Sequence, residues 1–137
     1  MSEIQKFGPG LVTPIASPGT IGTLDLFNNV DLLGQNINTF QVSLDVTVTG
    51  TTGSPTLDVA LQTSPDNFKT SGLITTILSM TQRTTTGSEV KSVKVGMQPG
   101  GTLIPLGEHR RLLITAISAS GDKAFQVNQL DVSMSYT

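Results

Sequence analysis

The feature that most constrains this chain is the stretch from Thr39 to Thr49, TFQVSLDVTVT, which alternates apolar and polar residues without a break. Successive side chains of a β-strand point to opposite faces, so the pattern predicts a strand with one buried and one solvated face. A chain built around it needs a sheet that packs on one side against a core. The predicted inward residues are Phe40, Val42, Leu44, Val46 and Val48.

A second alternating run, TLDVALQT, extends from Thr56 to Thr63. The residues between the two runs, GTTGSP at positions 50–55, are rich in Gly and hydroxyl side chains. This length suits a hairpin loop, whereas a parallel return would need a dozen or more residues. We therefore expect these two strands to pair antiparallel. The SPDN sequence that follows, Ser64 to Asn67, predicts a turn.

Four further segments are β-branched or aliphatic, and the gaps between them hold Gly, Pro or Asx residues. These predicted strands run from Leu73 to Met80, Val90 to Met97, Arg110 to Ala119 and Ala124 to Tyr136.

The last of these segments changes phase part of the way along. Phe125 and Val127 share one phase, and the apolar residues from Leu130 onward share the other. A β-bulge near Asn128 and Gln129 would bring both sets to the same face.

The segment from Thr23 to Gly34 is open to two interpretations. It could form a short helix with Thr23 as N-cap, but the Asn28-Asn29 pair favours two short strands joined by a turn. With this region included, about eight strands fit a jelly roll or a related sandwich better than a small barrel. The predicted fold is a single antiparallel β-sandwich, all-β and jelly-roll-like, over residues 21–137.

The composition bounds the function. At 137 residues the chain suits one domain, and its 4% of aromatic residues leave aliphatic side chains to build the interior. A net charge of -2 gives no electrostatic reason to bind nucleic acid directly. The absence of Cys excludes disulfides and thiolate zinc sites, and no apolar stretch is long enough for a membrane helix. We expect neither nucleic acid nor membrane as a partner.

Residues 1–20 differ from the rest of the chain, with three prolines and no alternation. Proline lacks the N–H that a ladder needs, so we expect an extended N-terminal arm outside the central strands. The arm could cover its own domain, or its apolar side chains could lie on a neighbouring subunit or another protein. The candidate partner-binding residues are Phe7, Leu11, Val12 and Ile15.

No motif for catalysis, cofactor binding or metal binding stands out. His109 is the only histidine and is expected to be a solvated loop side chain. Asp45, Asp58 and Asp131 take the outward phase of their strands, where an acid is the usual solvated residue. The adjacent pair Arg110-Arg111 would point one side chain to each face and is interpreted as an ion-pairing edge feature. We expect a protein that is not an enzyme.

Two segments resemble small structural proteins of tailed bacteriophages. The first, Thr39 to Phe68, is TFQVSLDVTVTGTTGSPTLDVALQTSPDNF, a Thr/Val-rich stretch followed by SPD and an aromatic residue. The second, His109 to Met134, is HRRLLITAISASGDKAFQVNQLDVSM, an Arg-led strand, a Ser-Gly turn and a closing strand that begins with an aromatic residue. The resemblance implies a capsid decoration or cement protein: a β-sandwich, often trimeric, that binds the outside of the assembled head and bridges neighbouring capsomers.

The leading hypothesis is therefore a non-enzymatic virion protein that decorates and stabilises a phage capsid. Its implied partner is the major capsid protein, its implied assembly a homotrimer, and its implied location the capsid surface after synthesis in the host cytoplasm. The alternative is a tail or baseplate structural protein, or a carbohydrate-binding β-sandwich module.

Overall fold

The structure, a computed structural model, describes residues 2–6, 15–16, 19–25, 37–95, 99–101, 109–117 and 123–136. Nine strands lie in this part of the chain, with one short 3-10 helix, Ser71–Leu73, between the fifth and sixth. The strands are β1 (Ser2–Lys6), β2 (Ile15–Ala16), β3 (Gly19–Asp25), β4 (Ile37–Val48), β5 (Thr56–Ser64), β6 (Thr75–Ser79), β7 (Gly87–Lys94), β8 (His109–Ile117) and β9 (Lys123–Tyr136).

The strands form two antiparallel sheets that pack face to face as a β-sandwich, which confirms the predicted fold class. Sheet A has the order β1-β9-β4-β7, with the short β2 also paired to β9, and sheet B has the order β3-β8-β5-β6. Strand β1 pairs with β9, β3 with β8, β4 with β7 and β5 with β6, as in one long hairpin. That hairpin is rolled up so that β4 also meets β9 and β5 meets β8, the arrangement of a jelly roll.

One predicted pairing is wrong: β4 and β5 are not neighbours in a sheet, because β4 lies in sheet A and β5 in sheet B. Residues 50–55 carry the chain from one sheet to the other. Gly53 and Ser54 both have positive φ in this turn, and Pro55 at its end is buried. The buried residues of both strands belong to the same hydrophobic core. The predicted inward faces are therefore confirmed, and only the predicted pairing is wrong.

The core lies between the sheets and is almost entirely aliphatic, with Phe40 and Phe125 as its fully buried aromatic side chains among the described residues. Burial alternates along the central strands as the sequence predicts. The buried apolar residues of the four central strands are Phe40, Val42, Leu44, Val46, Leu57, Val59, Leu61, Leu112, Ile114, Ala116, Phe125, Val127, Leu130, Val132 and Met134.

The predicted bulge in β9 is confirmed. Asp45 of β4 pairs with Gln129 and the next residue, Val46, pairs with Val127, so Asn128 is the extra residue. The Asn128 side-chain amide donates to the Thr47 hydroxyl, 2.8 Å away on β4. The bulge brings Val127 and Leu130 to the same buried face.

The open side between strands β6 and β7 is bridged by charged side chains that point inward from the edge of sheet A. Lys91 Nζ donates to the Ser79 carbonyl at 3.0 Å, and the Thr81 N–H donates to Glu89 Oε1 at 2.8 Å. Burial raises the pKa of Glu89, but the Thr81 hydrogen bonds and the nearby charges of Lys91 and Arg83 outweigh burial and hold that pKa below its usual range.

Parts of the predicted N-terminal arm belong to the sheets. Ser2–Lys6, which holds neither Pro nor Gly, is the edge strand of sheet A, and Ile15–Ala16 pairs with β9. The boundary drawn at residue 20 falls inside β3, and the same strand contains Thr23–Asp25 from the segment with two interpretations. Positions 26–34 of that segment lie outside the described residues.

Candidate functional site

Two segments that are distant in sequence, 39–68 and 109–134, meet at one end of sheet B. Strand β5 ends at Ser64, and β8 begins at His109, directly opposite it in the antiparallel register. The turn that follows β5 leads into β6 and forms the tip of the rolled hairpin. We define the apex site as Gln62, Ser64, Asp66, Phe68 and Arg111.

Ser64 organises the turn through its buried hydroxyl. Its Oγ accepts hydrogen bonds from the N–H groups of Asp66, at 3.2 Å, and Phe68, at 3.0 Å, and donates to Asp66 Oδ1 at 2.8 Å. This is the side-chain-to-backbone bonding by which Ser and Asp favour turns, so the turn predicted from SPDN is confirmed.

The turn holds two consecutive non-glycine residues in the left-handed region. Asn67 has φ 59° and Phe68 has φ 63°. Asparagine tolerates this conformation, but for a bulky residue such as Phe it is a genuine outlier. Such backbone costs about 1 to 3 kcal/mol per residue and persists only where surrounding contacts impose it.

The contact that holds Phe68 is Arg111, on the solvent face of the neighbouring strand. The guanidinium carbon of Arg111 lies 4.1 Å from the centroid of the Phe68 ring. The Arg111 Nε donates to Gln62 Oε1 at 3.0 Å, and the Gln62 amide donates to the Thr76 hydroxyl at 3.3 Å. These hydrogen bonds link the outer faces of three neighbouring strands of sheet B, β8, β5 and β6.

Asp66 carries the negative charge of the apex site. The pKa of its carboxyl is below the ordinary value of 3.8. The largest cause is a hydrogen bond from the Thr70 side chain, and the next is the hydrogen bond from the Ser64 hydroxyl. The carboxylate therefore remains ionised in moderately acidic solution and continues to accept the Ser64 hydroxyl there.

The adjacent arginines diverge as predicted, but they do not form an edge feature. Arg111 lies on the outer face of sheet B, while Arg110 is 4% exposed and points inward, where burial lowers its pKa. Strand β8 lies between β3 and β5, so neither arginine is on an edge strand.

The prediction that His109 is a loop residue is also wrong. His109 is the first residue of β8, and its carbonyl accepts the Thr63 hydroxyl at 3.1 Å. Its side chain is half-buried at the end of the strand.

The predicted partner-binding residues fall largely outside the described part of the chain. Phe7, Leu11 and Val12 are not among the described residues, and Ile15 is placed in β2 opposite Phe125. The predicted outward acids agree with the structure: Asp45, Asp58 and Asp131 alternate with buried residues on their strands.

Within the described ranges, no group of three or more His, Asp or Glu side chains could hold a metal ion. That part of the chain also holds no helix long and apolar enough to cross a membrane.

No protein-family model matches the chain, and no curated protein matches it. Among solved structures, the chain is similar to one in the structure of the infectious bursal disease virus Gx strain, with a TM-score of 0.41 and 9% sequence identity. The similarity covers 98% of this chain and 33% of that chain, so this protein spans about a third of the length of the viral chain. A similarity of this degree does not identify a family.

Proposed function

We propose that this protein is a non-enzymatic structural component of a bacteriophage virion that binds the outside of the assembled capsid and stabilises it. The observation that carries the proposal is the meeting of the two phage-like segments: His109–Met134 and Thr39–Phe68 are separated in sequence but share the β5–β8 pairing and the Phe68–Arg111 contact. A jelly roll is a fold that capsid-associated domains use, which makes the architecture compatible with this role.

The partner in this proposal is the major capsid protein, reached after the chain has been made in the host cytoplasm. The apolar residues near the N-terminus, Phe7, Leu11, Val12 and Ile15, are the proposed contacts with the capsid or a neighbouring subunit. Extended segments can cover a large surface with few residues, at the cost of the entropy lost when they become ordered.

The primary experiment is co-sedimentation of the purified protein with phage heads that lack it. We expect saturable binding to heads and an increase in the temperature at which the heads break open. Binding to tails or to cell-surface glycans but not to heads would overturn the proposal and support the tail or carbohydrate-binding alternative.

The residues that contact the head are tested separately. Removal of residues 1–19 would also remove the edge strand Ser2–Lys6, so point substitutions give a cleaner result. We expect Phe7→Ser, Leu11→Ser and Val12→Ser together to weaken head binding. Leu73→Ser, at a side chain that is 49% exposed on the 3-10 helix, is the matched control and should leave binding unchanged. Unchanged binding by the triple variant would overturn the assignment of these residues.

The homotrimer is part of the same proposal. A thin aliphatic core gains stability when more surface is buried between subunits. Light scattering of the dilute protein should give three times the chain mass of 14.4 kDa. A chain that remains monomeric at high micromolar concentration, both free and on heads, would overturn the trimer.

A further inference from the structure

Strand β7 is the outer strand of sheet A, with β4 on one side and, among the described strands, no partner on the other. Such an edge presents a row of backbone N–H and C=O groups to any chain that can pair with it. At the middle of β7, Val90 is 62% exposed on the outer face of the sheet. An apolar β-branched residue at the centre of an open edge is what a strand-to-strand contact would bury.

The sequence around Val90 is symmetric in charge. The five residues are Ser88, Glu89, Val90, Lys91 and Ser92. When two copies of β7 run antiparallel about a two-fold axis at Val90, each Glu89 faces Lys91 of the other copy, and each Ser88 faces a Ser92. The two Val90 side chains then face each other, so every side chain in this segment meets a compatible one.

Other registers of the two β7 strands place like charges opposite each other. Directly opposite residues in one continuous sheet must lie on the same face, so the smallest slip of the two copies moves the axis to Glu89 or to Lys91. The first places glutamate opposite glutamate and the second lysine opposite lysine, and like charges directly opposite are destabilising. The charges therefore select the register centred on Val90.

Inward-pointing charges on an edge strand usually discourage pairing. In this chain the Glu89 carboxylate and the Lys91 ammonium group are each hydrogen-bonded within their own copy, and each can still form a further hydrogen bond to a second copy. Glu89 accepts hydrogen bonds from the N–H and the side chain of Thr81, and a carboxylate can accept about four. Lys91 uses one of its three N–H donors on the Ser79 carbonyl. A cross-edge Glu89–Lys91 pair can form without breaking either contact.

We infer that β7 is a self-recognition edge: two copies of this chain pair through antiparallel β7 strands about a two-fold axis at Val90 and continue sheet A from one copy into the other. This contact is separate from the proposed trimer. A trimer built through other surfaces would present three such edges, and each would join it to a neighbouring trimer. The occupant of the edge is thus a second copy of the chain itself.

Cysteine cross-linking tests the register directly, because the chain has no cysteine of its own. Opposite Cβ atoms in an antiparallel pair lie within reach of a disulfide, and a residue on the axis faces its own copy. Under mild oxidation we expect Val90→Cys to give a covalent dimer at least about tenfold faster than Ser92→Cys. In the proposed dimer the two thiols at position 90 are directly opposite each other, whereas each thiol at position 92 is opposite Ser88 of the other copy. A mixture of the Ser88→Cys and Ser92→Cys proteins should cross-link faster than either protein alone.

Equal rates for Val90→Cys and Ser92→Cys would indicate random collision and overturn the inference, as would the absence of a cross-linked Val90→Cys dimer. Faster cross-linking of Ser88→Cys alone than of the mixture would overturn the register.

A charge change provides a second test in the Val90→Cys background. Lys91→Glu places glutamate opposite Glu89 of the other copy and should slow cross-linking several-fold. Lys94→Glu, on the same strand but opposite the uncharged Thr86, is the matched control. Melting temperatures of both variants establish that they fold. If folded Lys91→Glu cross-links as fast as the control, the proposed role of the charges is wrong.

Discussion

The guanidinium of Arg111 lies over the ring of Phe68, 4.1 Å from its centroid, and so joins the tip of the rolled hairpin to a central strand of sheet B. A cation over an aromatic face contributes about 0.5 to 1 kcal/mol at a partly exposed site. Because the Nε of Arg111 is already fixed by Gln62, little further entropy is lost when the ring is covered.

A double-mutant cycle with Phe68→Ala and Arg111→Ala measures this contact. We expect a coupling energy of about 0.5 to 1 kcal/mol in chemical denaturation, because each single variant removes the same interaction. Free-energy changes that add within error would show that the two side chains do not stabilise each other.

Glycine should be tolerated at position 68 better than alanine. At ordinary positions glycine is less stabilising than alanine by about 0.5 to 1 kcal/mol, because it restricts the unfolded chain less. Phe68 has φ 63°, which glycine adopts without strain, so the order should reverse. Thermal unfolding of Phe68→Gly and Phe68→Ala compares the two, and a more stable alanine variant would contradict the left-handed backbone.

Loss of the Ser64 hydroxyl should be costly. Ser64→Ala removes the acceptor of two backbone N–H groups, those of Asp66 and Phe68, in a turn whose serine is fully buried. The two donating residues are themselves only partly buried, so we expect a loss of about 1 kcal/mol, the lower end of the cost of an unsatisfied buried donor. Ser92→Ala, at an exposed position of β7, is the control and should change stability by less than about 0.5 kcal/mol.

Acid should weaken the apex turn through Asp66. The pKa of its carboxyl is lower in the folded chain than the ordinary 3.8, so the unfolded state takes up the proton first as the pH falls. The stabilisation is complete above pH 3.8 and is lost as the pH drops through the lower folded pKa. Stability of Asp66→Asn should depend less on pH in this range.

An NMR titration of the Asp66 carboxyl tests which hydrogen bond lowers its pKa. The Thr70 side chain is the first contributor to the lowered pKa, so Thr70→Val should move the pKa of Asp66 back towards 3.8. An unchanged titration in Thr70→Val would assign the effect to other groups.

Deletion of Asn128 should abolish cooperative folding. Without the extra residue, positions 123–127 shift by one in register and turn Phe125 and Val127 from the core to the solvent. Asn128→Ala keeps the bulge and loses the hydrogen bond to Thr47, so it should cost only about 0.5 to 1.5 kcal/mol. Circular dichroism during thermal unfolding distinguishes the two, and a cooperative transition in the deletion variant would contradict the assigned role of the bulge.

The fold class and the bulge were predictable because both follow from side-chain period. In β4 and β9 the buried residues are the ones that the alternation indicates, and the change of phase near Asn128 marks the extra residue. The placement of β4 and β5 in different sheets was not predictable in this way. A short loop returns a strand antiparallel whether it pairs in the same sheet or crosses to the opposite one, and the inward faces have the same pattern in both cases.

The apex site was predictable only in part. The SPDN sequence indicates the turn, but nothing in the sequence indicates that Phe68 itself has positive φ, because the residues that usually signal it are glycine and asparagine. The pairing of Arg111 with Gln62 depends on which strands become neighbours, and long-range pairing is not encoded in local alternation.

The central position of β9 in sheet A governs the order of events during synthesis. Strand β9 lies between β1 and β4, and it is the last of the described strands to leave the ribosome. Until it emerges, β1 and β4 lack their shared neighbour, and sheet A cannot close over the apolar face of sheet B. The core between the two sheets therefore cannot close until β9 has been made, and folding is slow, as expected when pairings join distant parts of the sequence. In the interval the apolar faces of β4 and β5 are exposed to water, and aggregation of the nascent chain competes with folding.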